Sequence, residues 1–178
     1  IMLSQIQPHF LYNCLAGIHH LCEDNPSRAK KMLKEFSEFL RGNMYSLKAR
    51  EPIPFERELN HAMNYLYLEQ QRLCERLHVV CRIQTTAFCI PPLTLQPLVE
   101  NAVQHGIFHE AEGGTIVIST TETEDYAVVT IEDNGVGIEK AKQYPDFGEH
   151  ACIGIVERTL HRQRSQPLEG NGQRPHGY

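Results

Sequence analysis

The run Asp133-Asn134-Gly135-Val136-Gly137 decides how the second half of this chain is read. It follows directly on residues 126–132, which alternate and are rich in β-branched side chains, as residues 115–121 do before them. Residues 122–125 supply the turn of that hairpin, and Gly113-Gly114 opens it. A carboxylate at the end of a buried strand, followed by two glycines, lets the backbone pass close to a flat ligand. A Cβ would block that approach or the dihedrals it needs. Asp133 can then accept a hydrogen bond from an exocyclic amine such as that of adenine. The same five residues also fit an ordinary turn after a strand, so the pattern needs company.

Upstream of the hairpin stands Leu98-Val99-Glu100-Asn101-Ala102-Val103-Gln104-His105-Gly106. Residues 94–105 read as a helix, with Pro97 tolerated in its first turn and Gly106 placed to end it. Asn101 beside small Ala102 sets an amide oxygen on a helix able to pack close to the sheet. A neutral oxygen ligand suits magnesium, which keeps some of its waters and bridges phosphates. The same amide also reads as a helix-surface group or a local cap. Residues 78–84 alternate like a strand, and Ile90-Pro91-Pro92 stops that run. A polar stretch covers residues 139–149, and a short helix is expected to start near Gly154. His105, His109 and Glu110 have the residue types of a zinc site, but a helix ending at Gly106 would separate the two histidines.

The first half has helical periodicity. Leu3, Ile6, Phe10, Cys14 and Leu21 recur at helical spacings, with Leu11, Leu15 and Ile18 widening the stripe. Asn25 and Pro26 cap and open a second helix, whose apolar face of Ala29, Met32, Leu33, Phe36, Phe39 and Leu40 ends near Gly42. After Pro52-Ile53-Pro54, Glu56 and Glu58 occupy the first turn of a third helix, where the dipole favours acids. That helix continues through Leu59, Met63, Leu66, Leu73 and Leu77.

Within the first helix, Gln5-Ile6-Gln7-Pro8-His9-Phe10-Leu11-Tyr12-Asn13 contains a candidate nucleophile. A neutral imidazole nitrogen is competent for that role. Pro8 removes one helical N–H and crowds the carbonyl of Ser4, so a kink exposing His9 is expected. His9 and Asn13 stand at i and i+4, where the amide can orient the ring or a phosphate. A helical histidine taken alone is more often a surface or satisfied core residue. His19-His20 and His61 read as solvated helix positions, and Arg28, Lys30, Lys31 and Lys34 as a solvent-facing side.

Composition narrows the function classes. The chain has 178 residues, 41% hydrophobic and 22% charged, which excludes a wholly disordered or collagen-like chain. A formal charge of −5 opposes a nucleic-acid surface, so no nucleic-acid partner is expected. The six cysteines form no C-x-x-C pair and sit mostly in apolar runs, the pattern of buried, reduced thiols. Residues 1–22 carry no charge but too many polar groups for a membrane span, and they lack the basic start and cleavage site of a signal peptide. Residues 162–178 contain only Leu168 and Tyr178 as apolar groups, and a frayed end is expected over residues 161–178.

An Asn-Ala helix, a hairpin, Asp-x-Gly-x-Gly and a loop running to Gly154 together resemble the ATP-binding fold of the GHKL superfamily, which includes gyrase, MutL and the histidine kinases. The resemblance implies ATP and Mg2+ as ligands. Asn101 would hold the metal, Asp133 would read adenine, Gly135 and Gly137 would line the base pocket, and His105 would belong to the nucleotide site. Gly154 would meet the phosphates at the start of the last helix, where free N–H groups favour anions, beneath a lid of residues 138–153. Hydrolysing members carry a Glu one turn before this Asn, and here that place holds Pro97. Glu100 points about 100° away from Asn101 around the helix. Phosphoryl transfer is therefore expected rather than hydrolysis.

The phrase Gln-x-x-Pro-His-Phe-Leu-Tyr-Asn, then Leu40-Arg41, Tyr65-Leu66, Arg72, and Pro91-Pro92-Leu93 through Gly106, resembles the LytS-like sensor histidine kinases. This implies an α+β chain: a helical dimerisation and phosphoacceptor hairpin over residues 1–77, then a GHKL-type α/β sandwich over residues 78–178, truncated at its C-terminus. His9 would take the γ-phosphoryl group of ATP, assisted by Asn13, and pass it to an aspartate of a response regulator, often of the DNA-binding LytTR kind. The chain would act as a homodimer, as the cytoplasmic portion of a membrane sensor whose membrane contact lies upstream. Three departures accompany the resemblance. Phe10 follows the histidine where other subfamilies have an acid, leaving the proton acceptor open. Gln104 stands where many relatives have Lys, and Cys152-Ile153-Gly154-Ile155-Val156-Glu157-Arg158 departs from their glycine-rich run. These changes favour a competing expectation, a catalytically impaired dimerisation and nucleotide-sensing module.

Overall fold

The computed structural model describes residues 8–123 and 126–135, together with the backbone of residues 151–157. Gly137, the tail from residue 158 on and all but the last three residues of the expected lid lie outside these residues. In chain order the elements are α1 (Pro8–Asp24), α2 (Pro26–Lys48), β1 (Ile53–Pro54), α3 (Phe55–Leu73), a 3-10 turn (Cys74–Arg76), β2 (Leu77–Ile83), β3 (Cys89–Ile90), α4 (Leu95–Asn101), a π-helical turn (Ala102–Ile107), β4 (Gly114–Glu122), β5 (Tyr126–Asp133) and β6 (Ala151–Glu157). Helices precede a mixed sheet, the α+β arrangement that the periodicities predict.

The described part of α1 starts at Pro8. The kink expected from Pro8 involves Ser4, outside the described residues. The α1 helix buries Phe10, Cys14 and Ile18. Asn25 caps α2, its side chain accepting from the Arg28 N–H at 3.0 Å, and Pro26 occupies the first turn. This helix does not stop at Gly42 but runs on to Lys48. Gly42 is there for room: a Cβ would stand 2.7 Å from Cδ2 of His61. His61 is correspondingly buried, at 4% exposure, rather than solvated. The α3 helix ends at Leu73, and Leu77 opens β2 instead of extending a helix.

The sheet order is β2-β4-β5-β6. Strand β2 runs parallel to β4, with Leu77 opposite Gly114, and the other pairs are antiparallel. Alternation places Ile116, Ile118, Ala127, Val129 and Ile131 on the buried face. These join one apolar cluster that continues through Val99 and Leu66 to Phe39 and Phe10. The helices and the sheet therefore share a core.

Two expectations fail at the sheet. Gly154 does not begin a helix; it sits within β6, opposite Val129. Residues 152–156 supply two Ile and a Val, which favour extended backbone, and their pairing covers an edge of β5 that would otherwise be open. The last three residues of the expected lid, 151–153, belong to the same strand. The thiols also depart from expectation: Cys14 is buried, but Cys22, Cys74, Cys81 and Cys89 are exposed, and all five are free.

Glu58 joins three elements. Its carboxylate is 1% exposed and accepts from the N–H groups of Leu93 and Leu95, each at 3.2 Å, and from the Ser46 hydroxyl at 3.3 Å. It thus occupies the N-terminus of α4, where a negative group answers unpaired N–H donors. Leu93 reaches this position with a left-handed φ of 59°.

Candidate functional site

His9 is exposed at the start of the described part of α1, and the Asn13 amide nitrogen lies 3.2 Å from its Nδ1 and 3.4 Å from its Nε2. The neighbouring Phe10 fixes this stretch. Its ring lies 5.1 Å from those of both Phe39 and Tyr65, so α1 is pinned to α2 and α3 one residue from the imidazole.

Tyr65 begins a buried polar ladder on α3. Glu69, one turn on and 4% exposed, pairs through Oε2 with Arg72, whose Nη2 and Nε stand 2.6 and 2.7 Å away. Burial pushes the Glu69 carboxyl above its ordinary value, while Arg72, Tyr65 and His9 pull it back. The Arg72 guanidinium also lies 5.0 Å from the centroid of Phe108, just beyond the π turn. Facing the ladder from α4 are Glu100, raised mainly by burial, and Gln96, which donates to Glu100 at 2.8 Å. The Tyr65 hydroxyl is buried with no hydrogen bond of ordinary length. Gln104 and Glu69 are nonetheless close enough to bias its ionisation, and burial raises it well above the usual phenol value. Sequence reasoning missed Glu69. The available signal was Tyr65-x-x-x-Glu69-x-x-Arg72, a polar line on an otherwise apolar helix face.

At the junction of α4 and the π turn, Asn101 and His105 are both exposed, on the last residue of α4 and in the π turn. Gly106 does not terminate the helix; it lies within the π turn, which runs to Ile107. A Cβ on Gly106 would strike the Asp133 carboxylate, and one on Gly135 would strike the Gly106 backbone. The glycines therefore let strand end and helix meet. Asp133 closes β5, and its Oδ1 accepts from the Gly135 N–H at 3.1 Å, while Asn134 Oδ1 accepts from the Thr115 N–H at 2.6 Å. These bonds fix the turn and the aim of Asp133. Among the described residues no group of three or more His, Cys, Asp or Glu side chains is placed to hold a metal ion.

The structure thus pairs His9 with Asn13, and Asp133 with Gly106 and Gly135. It puts Asn101 and His105 on exposed positions and Gly154 in a strand.

Residues 1–77 match the family model "Histidine kinase", and residues 91–172 match "Histidine kinase-, DNA gyrase B-, and HSP90-like ATPase". The sensor protein LytS of Oceanobacillus iheyensis is 32% identical over 95% of this chain and 27% of its own length. The sensor histidine kinase YpdA of Escherichia coli is 37% identical over 76% of this chain and 24% of its own length. The chain thus spans about a quarter of each of these sensors. Among solved structures, the Acinetobacter baumannii histidine kinase AdeS aligns with a TM-score of 0.46 at 16% identity, over 83% of this chain and 93% of that one. With a histidine kinase unit followed by the ATPase unit shared with gyrase B and HSP90, and with LytS sensors among its relatives, the chain belongs to the histidine kinases.

Proposed function

We propose that this chain is the kinase core of a two-component sensor, in which His9 receives the γ-phosphoryl group of ATP and passes it to an aspartate of a response regulator. One observation carries the reading: a solvent-exposed imidazole, paired with Asn13, in the histidine kinase unit of a chain that also holds an ATPase unit. The exposed ring can meet a phosphodonor without unpacking α1, because Phe10 rather than His9 anchors the helix. Asn13 orients the ring. At the other end the tight meeting of Gly106, Gly135 and Asp133 supports an adenine-reading carboxylate held rigidly at a strand end. Asn101 offers a neutral amide oxygen of the kind Mg2+ accepts, with His105 beside it and Gly137 as a further nucleotide contact. ATP with Mg2+ supplies the transferable phosphoryl group and neutralises its charge.

Self-association fits the exposed apolar side chains of the first two helices. Tyr12 and Leu15 on α1 are 73% and 50% exposed, and Leu33 and Met44 on α2 are 50% and 49% exposed. We assign them to a homodimer interface of bundle type. The regulator is proposed to be of the LytTR type, and membrane contact to come through a segment upstream. Among the described residues no helix is long and apolar enough to cross a membrane.

Incubating the protein with γ-labelled ATP and Mg2+ is expected to give acid-labile, alkali-stable label that is lost in His9→Gln. Label persisting in that variant overturns the assignment. A second reading, a nucleotide-sensing dimerisation module without transfer, is favoured by Gln104 facing Tyr65 and by Gly154 lying in a strand. Magnesium-dependent nucleotide binding by calorimetry, without label on His9, would select it.

A further inference from the structure

His9 is followed by Phe10, so no acid stands beside it in sequence. The fold sets Glu69 of α3 within electrostatic reach of it. Phe10 packs on Tyr65 with ring centroids 5.1 Å apart, and Glu69 lies one helical turn beyond Tyr65 on the same side of α3. Both Arg72 bonds fall on Oε2 of Glu69, so Oε1 carries no Arg72 bond. A carboxylate with 4% exposure is costly to bury, and Arg72 bonds only one of its two oxygens.

We propose that Glu69 serves His9 from the neighbouring helix, positioning the imidazole and taking up its proton during phosphoryl transfer. This rests on the reading of His9 as phosphoacceptor. The unprotonated ring nitrogen forms the N–P bond, and the bond from phosphorus to its leaving group breaks with its electron pair. The ring, now substituted on one nitrogen and protonated on the other, is cationic. Its N–H proton passes to Glu69, leaving a neutral phosphorylated imidazole and a neutral carboxylic acid.

The groups facing Glu69 agree with this role. Arg72 and Tyr65 approach it from α3, His9 and Cys14 from α1, and Glu100 from α4. His9 and Arg72 favour its anion, whereas burial favours its protonated form. The Cys14 thiol, one turn from Phe10, is pushed up to about 12 by burial and by Glu69. It is therefore no competing nucleophile at neutral pH.

The test uses the full chain and phosphoramidate, a small phosphodonor that needs no nucleotide site. Labelling of His9 is read by mass spectrometry against His19 of α1 and His78 of β2, both exposed, as internal references. In the wild-type chain His9 is expected to label roughly tenfold faster than the references. In Glu69→Gln, an isosteric change, the ratio falls to near one while His19 and His78 are unaffected, and Glu69→Asp restores part of it. The wild-type ratio should also collapse at acidic pH as Glu69 takes a proton. In Arg72→Leu, which removes the charge favouring the anion, that collapse moves to higher pH. Equal labelling of His9 and the references in the wild type, or a His9 ratio unchanged by Glu69→Gln, overturns the proposal. Because no ATP is used, these results are independent of whether ATP labels His9, and failure of the kinase reading is distinguishable from failure of this one.

Discussion

The backbone of Gly106, in the π turn, occupies the space that a side chain on Gly135 would need. The obstacle is main chain, which no rotamer change can remove. Gly135→Ala is therefore expected to force the strand end away from the π turn, at a cost of about 1–3 kcal/mol. Because the Gly135 N–H also holds Asp133 Oδ1, the same change should abolish nucleotide binding by calorimetry. An alanine variant that melts like the wild type would contradict this packing.

Glu58 is expected to be among the most sensitive positions far from the chemistry. Glu58→Ala strands the buried N–H of Leu95, at a cost of about 1–3 kcal/mol when unsatisfied, and the part-buried N–H of Leu93, which costs less. Glu58→Gln keeps one acceptor and should lose less. Urea denaturation of the two variants checks the order.

Phe10 and Tyr12 sit two residues apart but should behave in opposite ways. Phe10→Ala removes a ring at 6% exposure and is expected to destabilise the chain by about 3–5 kcal/mol. Tyr12→Ser, at 73% exposure, should change stability of the monomer by less than about 0.5 kcal/mol. It should instead weaken self-association, measured by sedimentation.

His61 gives stability a defined pH slope. Burial lowers its pKa below the ordinary 6.5, with Glu58 opposing. As pH falls below 6.5, the unfolded chain takes up a proton that the folded chain refuses, so stability drops over the window from 6.5 down to the lowered folded value. Glu69 and Glu100 act in the opposite sense. Their raised values make the folded form hold protons longer, so their contribution falls as pH rises from the ordinary 4.5. His61→Gln should flatten the decline below pH 6.5 and leave the carboxylate part intact, as pH-resolved thermal melts would show.

Where an interaction spans a few residues, the sequence was enough. The His9–Asn13 pair is four residues apart on one helix, Asn25 caps its own helix, and the 133–135 turn closes on itself. The β4–β5 hairpin follows from alternation on either side of a short polar turn. By contrast, Glu58 read as a first-turn acid because the N–H groups it serves lie 35 and 37 residues away. His61 read as solvated because nothing local announces that Gly42, on another helix, leaves a gap shaped for its ring.

Gly42 and Gly106 carry the same lesson. Each looked like a helix stop, since glycine is a poor helix former. Each in fact admits a side chain from elsewhere, His61 in one case and Asp133 in the other.

By itself, then, the sequence determined the periodic elements, the pairing of His9 with Asn13, and the carboxylate-glycine turn, because backbone geometry and side-chain spacing act over one or two turns of chain. Only the tertiary structure decided that Glu69 is buried, what holds the start of α4, and why glycine is required at Gly106. Those choices depend on volume and charge brought together from distant segments, and no short-range pattern records them.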